Sequence, residues 1–348
     1  MQEDLSKNEK NVLYHAFKHP LLNNRELAIR IGMNQSTLAS IRQRLYHAGY
    51  YRTVRIPLMQ NLGCELLVVI HTDFNPAIPL EQRIKTTKKM IEVFDEIFYS
   101  IGETNKGFSL SFAGNITATC KINDVRTETF ARMNLLEGTL PTEAVFPFTL
   151  SRIDRFMDFA PMLADAFELG DEPEEFRQFI PDERVELAKT EKLVYAGLVN
   201  NPEMTDTELG NALPVSRHTV AAIRKRLESA GLIKTVLVPD LKQLGFKVIC
   251  FYHIRYSTKK PLDLAHPVPE PVANKNSFFI ASRKYETIML SAYRDYDEAK
   301  MDNVRKVQYL KENGLIETMP VIQEYSISNM AMIKDLLFAQ ITKKILGI

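Results

Sequence analysis

Apolar residues between positions 38 and 48 fall at steps of three and four: Leu38, Ile41, Leu45 and Ala48. That spacing lines one face of an α-helix. The same rhythm returns as Val220, Ile223, Leu227 and Ala230. Both stretches carry nearly the same text at a constant offset of 182 (Thr37 to Thr219). The offset also pairs Ala39 with Ala221, Arg42 with Arg224, Arg44 with Arg226 and Leu45 with Leu227. A short polar residue, Asn34 or Ser216, stands where a helix cap belongs, and Gly49 or Gly231 stands just past the end. The chain is internally duplicated.

Upstream, Val12, Leu13, Ala16 and Phe17 predict a helix over 8–17, and 25–31 predicts a shorter one stopped by Gly32. A short helix, a tight glycine turn and a longer helix make a helix-turn-helix. The β-branched and aromatic run Tyr50–Pro57, with Arg52 and Arg55, predicts a wing strand. The second copy repeats these parts over 191–200, 207–213, 216–230 and 232–239.

Beyond the wing the pattern predicts strand 64–74, helix 80–96, a hairpin of 97–103 and 108–113, helix 123–137 and strand 144–153. This β-α-β-β-α-β order is the ferredoxin-like arrangement. In the second copy 246–256, 277–282, 287–293, 296–313 and 316–328 play these parts. Pro261, Pro267, Pro269 and Pro271 fall where its first helix should lie, so that helix is short or lost. A terminal helix closes each half, around 155–167 and 330–345. The expected fold class is therefore α+β, two tandem repeats of a winged helix-turn-helix followed by a ferredoxin-like domain and a terminal helix. Expected boundaries are 1–62 and 63–169 for the first repeat, an acidic linker at 170–184, and 185–245 and 246–348 for the second.

Composition adds little except through charge. Residues 1–63 hold nine Lys or Arg against four acids, a balance of +5, and 187–247 hold nine against six, a balance of +3. Residues 165–186 carry nine acids and two arginines, a balance of −7. The basic stretches are those that contain the duplicated helix, as a phosphate-facing surface requires. Three cysteines, Cys64, Cys120 and Cys250, lie far apart without metal-binding or disulfide spacing. With a polar start and no apolar run of membrane-spanning length, this predicts a cytoplasmic protein that does not insert in a membrane.

A helix with one apolar side and one donor-rich side suits a duplex groove. The candidate DNA contacts in the first copy are Gln35, Ser36, Thr37, Ser40, Arg42, Gln43 and Arg44, with Arg52 and Arg55 on the wing. In the second they are Ser216, Arg217, His218, Thr219, Arg224, Lys225 and Arg226, with Lys234 on the wing. The four arginines at 42, 44, 224 and 226 are the leading phosphate contacts, and Gln43 and Lys225 are placed to reach bases. His71 and His253 match between repeats and read as inherited packing. The phenylalanines and methionines near Phe98, Phe108, Phe112, Phe278 and Met289 read as core, which sequence does not distinguish from a pocket.

From Gly231 through Pro239 to Gly245-Phe246, and over 216–231, the chain resembles the leucine-responsive/asparagine-regulator class of transcription factors. The resemblance spans roughly 5–152 and 187–328. It implies a DNA-binding regulator, a homodimer, with α/β domains that sense a small-molecule effector. Members carry one such unit per chain, whereas this chain carries two. Their effector site is marked by a Gly-x-Tyr-Asp-like turn, which here reads Gly102-Glu-Thr-Asn-Lys-Gly107 and Ser282-Arg-Lys-Tyr-Glu286. An amino-acid effector therefore lacks its motif. Sirohaem decarboxylases share the architecture as paired half-proteins, but the chain has no Trp for their hairpin signature. No nucleotide loop, nucleophile elbow or metalloprotease motif occurs either. The sequence thus leads us to expect double-stranded DNA as partner, no cofactor or metal, and no enzymatic activity.

Overall fold

The computed structural model describes residues 5–170 and 184–348. The expected acidic linker lies outside the described residues except at its two ends. The chain opens with helices α1 (Lys7–Lys18), α2 (Asn24–Ile31) and α3 (Gln35–His47), then strand β1 (Tyr51–Pro57). There follow β2 (Leu66–Asp73), α4 (Leu80–Glu92), β3 (Ile97–Glu103), β4 (Lys106–Ala113), α5 (Ile116–Arg132) and β5 (Thr142–Pro147). Strand β6 (Ser151–Phe156) and helix α6 (Ala160–Ala166) close the first half. The second half begins with α7 (Lys189–Asn200), α8 (Asp206–Ala212), α9 (Arg217–Ser229) and β7 (Ile233–Pro239). It continues as β8 (Val248–Arg255), β9 (Ser277–Arg283), β10 (Glu286–Tyr293), α10 (Tyr296–Glu312), β11 (Val321–Ser326), β12 (Ala331–Asp335) and α11 (Ala339–Leu346).

The helix starts are written locally. The Glu9 N–H donates to Ser6 Oγ while Glu9 Oε2 accepts from the Ser6 N–H, a reciprocal box that satisfies two free donors of α1. Asn23 and Glu26 do the same for α2, and Thr205 and Glu208 for α8. Gly32 ends α2 at φ +66°, left-handed backbone that a side chain would strain. Val12, Leu13, Leu27, Leu38 and Leu45 are buried together at the centre of the first helix-turn-helix, and Val194, Leu198, Leu209, Val220 and Leu227 in the second. Each such burial stabilises the fold by roughly 1.5–3 kcal/mol.

Each α/β domain has ferredoxin-like strand order, β5-β2-β4-β3 in the first and β11-β8-β10-β9 in the second. A fifth strand extends each sheet, and it comes from the other half of the chain: β12 pairs with β3, and β6 lies beside β9. Both strands occupy stretches expected as the start of terminal helices or the end of β5. The proline-bearing crossover between β8 and β9 holds no helix. Val268, Val272 and Ala273 from that loop enter the core instead.

Two compact units result, and they do not follow the order of the repeats. One contains α1–α3, α6 and the sheet of the second repeat with β6. The other contains α7–α9, α11 and the sheet of the first repeat with β12. The boundaries fall inside β1, at Val54/Arg55, and inside β7, at Lys234/Thr235. These two strands pair with one another rather than folding back as wings onto their own helices. Strand periodicity is the same whichever partner a strand takes, so the exchange has no sequence signature.

Candidate nucleic-acid interface

Helices α3 and α9 occupy the third position of each helix-turn-helix, and their first turns face solvent. On α3 the side chains of Gln35, Ser36, Thr37, Ser40 and Gln43 are exposed. On α9 those of Arg217, His218, Thr219 and Lys225 are exposed, and Ser216 caps the helix. The Thr219 N–H donates to Ser216 Oγ at 3.2 Å, and the two hydroxyls lie 2.9 Å apart. In the first copy Asn34 Oδ1 accepts from the Ser36 N–H at 2.9 Å and its hydroxyl at 2.8 Å. The Ser36 and Thr219 hydroxyls therefore complete caps in the isolated protein.

The four leading arginines have internal partners. Arg42 Nη1 donates to Asn24 Oδ1 at 2.9 Å and to the Leu22 carbonyl at 3.3 Å, tying α3 to the start of α2. Arg224 holds Asp206, the residue equivalent to Asn24, with two bonds of 2.8 Å, and also reaches Glu228 at 3.5 Å. Arg44 pairs with Glu9 of α1, and Arg226 pairs with the equivalent Glu191 of α7. Glu9 and Glu191 each use their second oxygen to accept from the backbone N–H three residues earlier. One carboxylate thus caps the first helix and anchors the third, and the duplication preserves the whole device. The Arg224 hydrogen bonds hold the Asp206 carboxyl below the usual carboxylate range.

The wing residues divide. Lys234 is exposed on β7, and Arg52 is half-buried on β1. Arg55 corrects the expectation of an exposed wing contact, because β1 pairs with β7 and its guanidinium turns inward to the Leu198 carbonyl, 3.5 Å away. Burial pulls its pKa down, with the charge of Glu228 opposing. Of the exposed set on the two helices and Lys234, the Ser36, Ser216 and Thr219 hydroxyls are engaged in helix caps, while Gln35, Thr37, Ser40, Gln43, Arg217, His218, Lys225 and Lys234 are exposed along the helices and β7.

His71 and His253 are both buried, and His253 Nε2 lies 3.0 Å from Glu286 Oε2. Burial raises the Glu286 pKa, but hydrogen bonds from His253 and the charge of Arg283 outweigh it and lower it overall. Among the described residues no three His, Cys, Asp or Glu side chains gather as metal ligands, and no helix is long and apolar enough to cross a membrane.

A family model described as the sugar-specific transcriptional regulator TrmB matches residues 183–255, the second helix-turn-helix and the strands after it. No curated protein sequence matches the chain. Among solved structures, the siroheme decarboxylase NirDL aligns with 98% of this chain and 99% of its own, at 13% identity and a TM-score of 0.52. Its complex with an iron-uroporphyrin III analogue aligns over the same shares at 14% identity and 0.51. A member of the AsnC family from Pyrococcus furiosus aligns with 42% of this chain and 90% of its own, at 20% identity and 0.33. The full-length correspondence supports the two-repeat α+β architecture. It also corrects the expectation of a chain without enzymatic activity, because an enzyme uses this architecture from end to end.

Proposed function

We propose that this protein is a sequence-specific DNA-binding transcriptional regulator whose helices α3 and α9 read two half-sites. One observation carries the reading. In both copies the arginines at the base of the third helix are spent on internal clamps, while the first-turn polar side chains stay open to solvent. A helix rigidly fixed on one side and donor-rich on the other is what groove recognition requires. The match of 183–255 to a transcriptional-regulator family supports the same conclusion for the second copy. Ser36, Ser40 and Gln43 in one helix stand against His218, Ala222 and Lys225 in the other, so the half-sites differ in sequence. We place the protein in the cytoplasm and expect it to dimerise. Selection of bound duplexes from a random pool tests the reading: an asymmetric enriched site is expected, and no enrichment would overturn it.

A second reading is favoured by the full-length architectural match: an enzyme acting on a tetrapyrrole. Titration with sirohaem, followed by its strong visible absorption band, decides it. A saturable band shift supports the enzyme, and an unchanged spectrum removes it.

A further inference from the structure

The duplication supplies an internal control for the α/β domains. Helices α5 and α10 are both 17 residues long, so Arg126 stands where Lys306 does and Ile122 where Asp302 does. The sheet registers match as well: Ile70 pairs with Ser109 as Tyr252 does with Met289, and Ala113 with Leu66 as Tyr293 does with Val248. Arg126 and Lys306 are both buried. In the second domain Lys306 forms an ion pair with Asp302, Tyr293 donates to Asp302 at 2.6 Å, and Tyr252 lies 2.8 Å from Tyr293. Asn303 Nδ2 donates to Glu324 Oε1 at 2.9 Å. Charge and donors are answered inside the fold.

In the first domain the answering groups are replaced. Ile70, Ala113, Ile122 and Val145 stand where Tyr252, Tyr293, Asp302 and Glu324 do in the second. Arg126, 3% exposed, donates to Ser109 Oγ at 2.9 Å, while its Nε finds no acceptor. Thr87 Oγ1 on α4 and Asn123 Nδ2 on α5, both on buried residues, are also without a partner. No buried side-chain nitrogen or oxygen of residues 246–328, all of them described, is left in this way. Burial pushes the Arg126 pKa down to about 10, with the exposed Glu143 of β5 opposing, the mark of a cation short of counter-charge. A buried charge so placed is costly unless something pairs with it.

Beside these groups lies a cavity of about 20 Å³, room for one or two water molecules. Arg126, Thr87 and Ser109 stand on its polar side, and Ile91 and Phe130 on its apolar side. A second buried guanidinium adds positive charge nearby: Arg83 Nη1 lies 3.5 Å from where a Cβ on Gly102, another lining residue, would sit. Carboxylates, nitrate and sulfate are too large for the space. A water molecule fits but leaves the charge uncancelled. A monatomic anion meets both conditions.

We propose that this cavity binds one chloride ion, held by the Arg126 Nε–H and the Thr87 hydroxyl. Both groups donate, and hydrogen bonds from a guanidinium to an anion are among the strong ones. The ion takes the part that Asp302 plays in the second domain. The site does not depend on whether α3 and α9 read DNA.

The test uses the full-length protein in thermal melts, with sodium chloride replacing sodium gluconate, whose anion is too large to enter, at constant ionic strength. A ligand that binds only the folded state raises the melting temperature with concentration. The expected result is a rise in melting temperature as chloride replaces gluconate. Thr87→Val should raise the half-saturating chloride concentration by about tenfold or more. The rise should be lost in Arg126→Gln and in Ile122→Asp, which supplies the counter-charge from within. If Arg126→Gln does not fold, Thr87→Val and Ile122→Asp decide. Equal melting of the wild type in chloride and gluconate overturns the proposal, as does a rise that Thr87→Val or Ile122→Asp leaves unchanged.

Discussion

At the residue scale the arginines changed meaning. Arg42, Arg44, Arg224 and Arg226 sit on a helix face that sequence reads as nucleic-acid-facing, yet each reaches an acceptor in its own helix-turn-helix. The signal that separates clamp from contact was present: Glu9 and Glu191, and Asn24 and Asp206, share the same 182-residue offset as the arginines. Charges duplicated together with their partners point to an internal role. Arg226→Ala should therefore cost little stability, under about 1 kcal/mol for so exposed a pair, and denaturant unfolding checks it. The clamps also differ in pH response, since Asp206 titrates and Asn24 does not. Because Arg224 lowers the folded pKa of Asp206, the clamp's stabilisation is complete above about pH 4 and disappears as pH falls through the folded value. Hydrogen exchange in α9 should rise with acid more steeply than in α3, and Asp206→Asn should remove the excess.

Among the elements, those set by a single period were legible. The apolar faces of α3 and α9, their caps at Asn34 and Ser216, and the β-α-β-β-α-β succession all follow from local chemistry, whereas α2 is capped by Asn23 rather than by Asn24, one residue later. The four prolines after β8 correctly announced a missing helix. Strands β6 and β12 were not legible. Each is six residues or fewer, runs directly toward a short helix, and carries charges such as Arg152, Asp154 and Lys334 that blur alternation. Their identity as strands comes from the sheet edge they join, which no local window contains. At the α2–α3 turn, Gly32→Ala should cost about 1–2 kcal/mol through its left-handed backbone. The midpoint of denaturant unfolding measures that loss, and an unchanged midpoint contradicts the assignment.

For the whole molecule, each compact unit draws on both halves of the chain. The first repeat's sheet is edged by β12 and the second repeat's by β6, so neither half holds a complete five-stranded sheet. An engineered protease site placed between residues 170 and 184 should therefore leave the cleaved protein as one species in size-exclusion chromatography. Separation into halves would contradict the exchanged arrangement. Deleting residues 329–348 should strip β3 of its outer partner and lower the melting temperature of the unit that contains it.

If α3 and α9 present their open polar faces to a duplex, DNA binding is salt-dependent through the exposed cations of those faces. On a duplex selected by the wild-type protein, log affinity should fall steeply with log salt. Lys225→Ala should flatten that slope by about one unit, while Arg226→Ala should leave it unchanged. Salt-insensitive binding by the wild type, or an unaltered slope and affinity in Lys225→Ala, would rule out duplex contact through these faces.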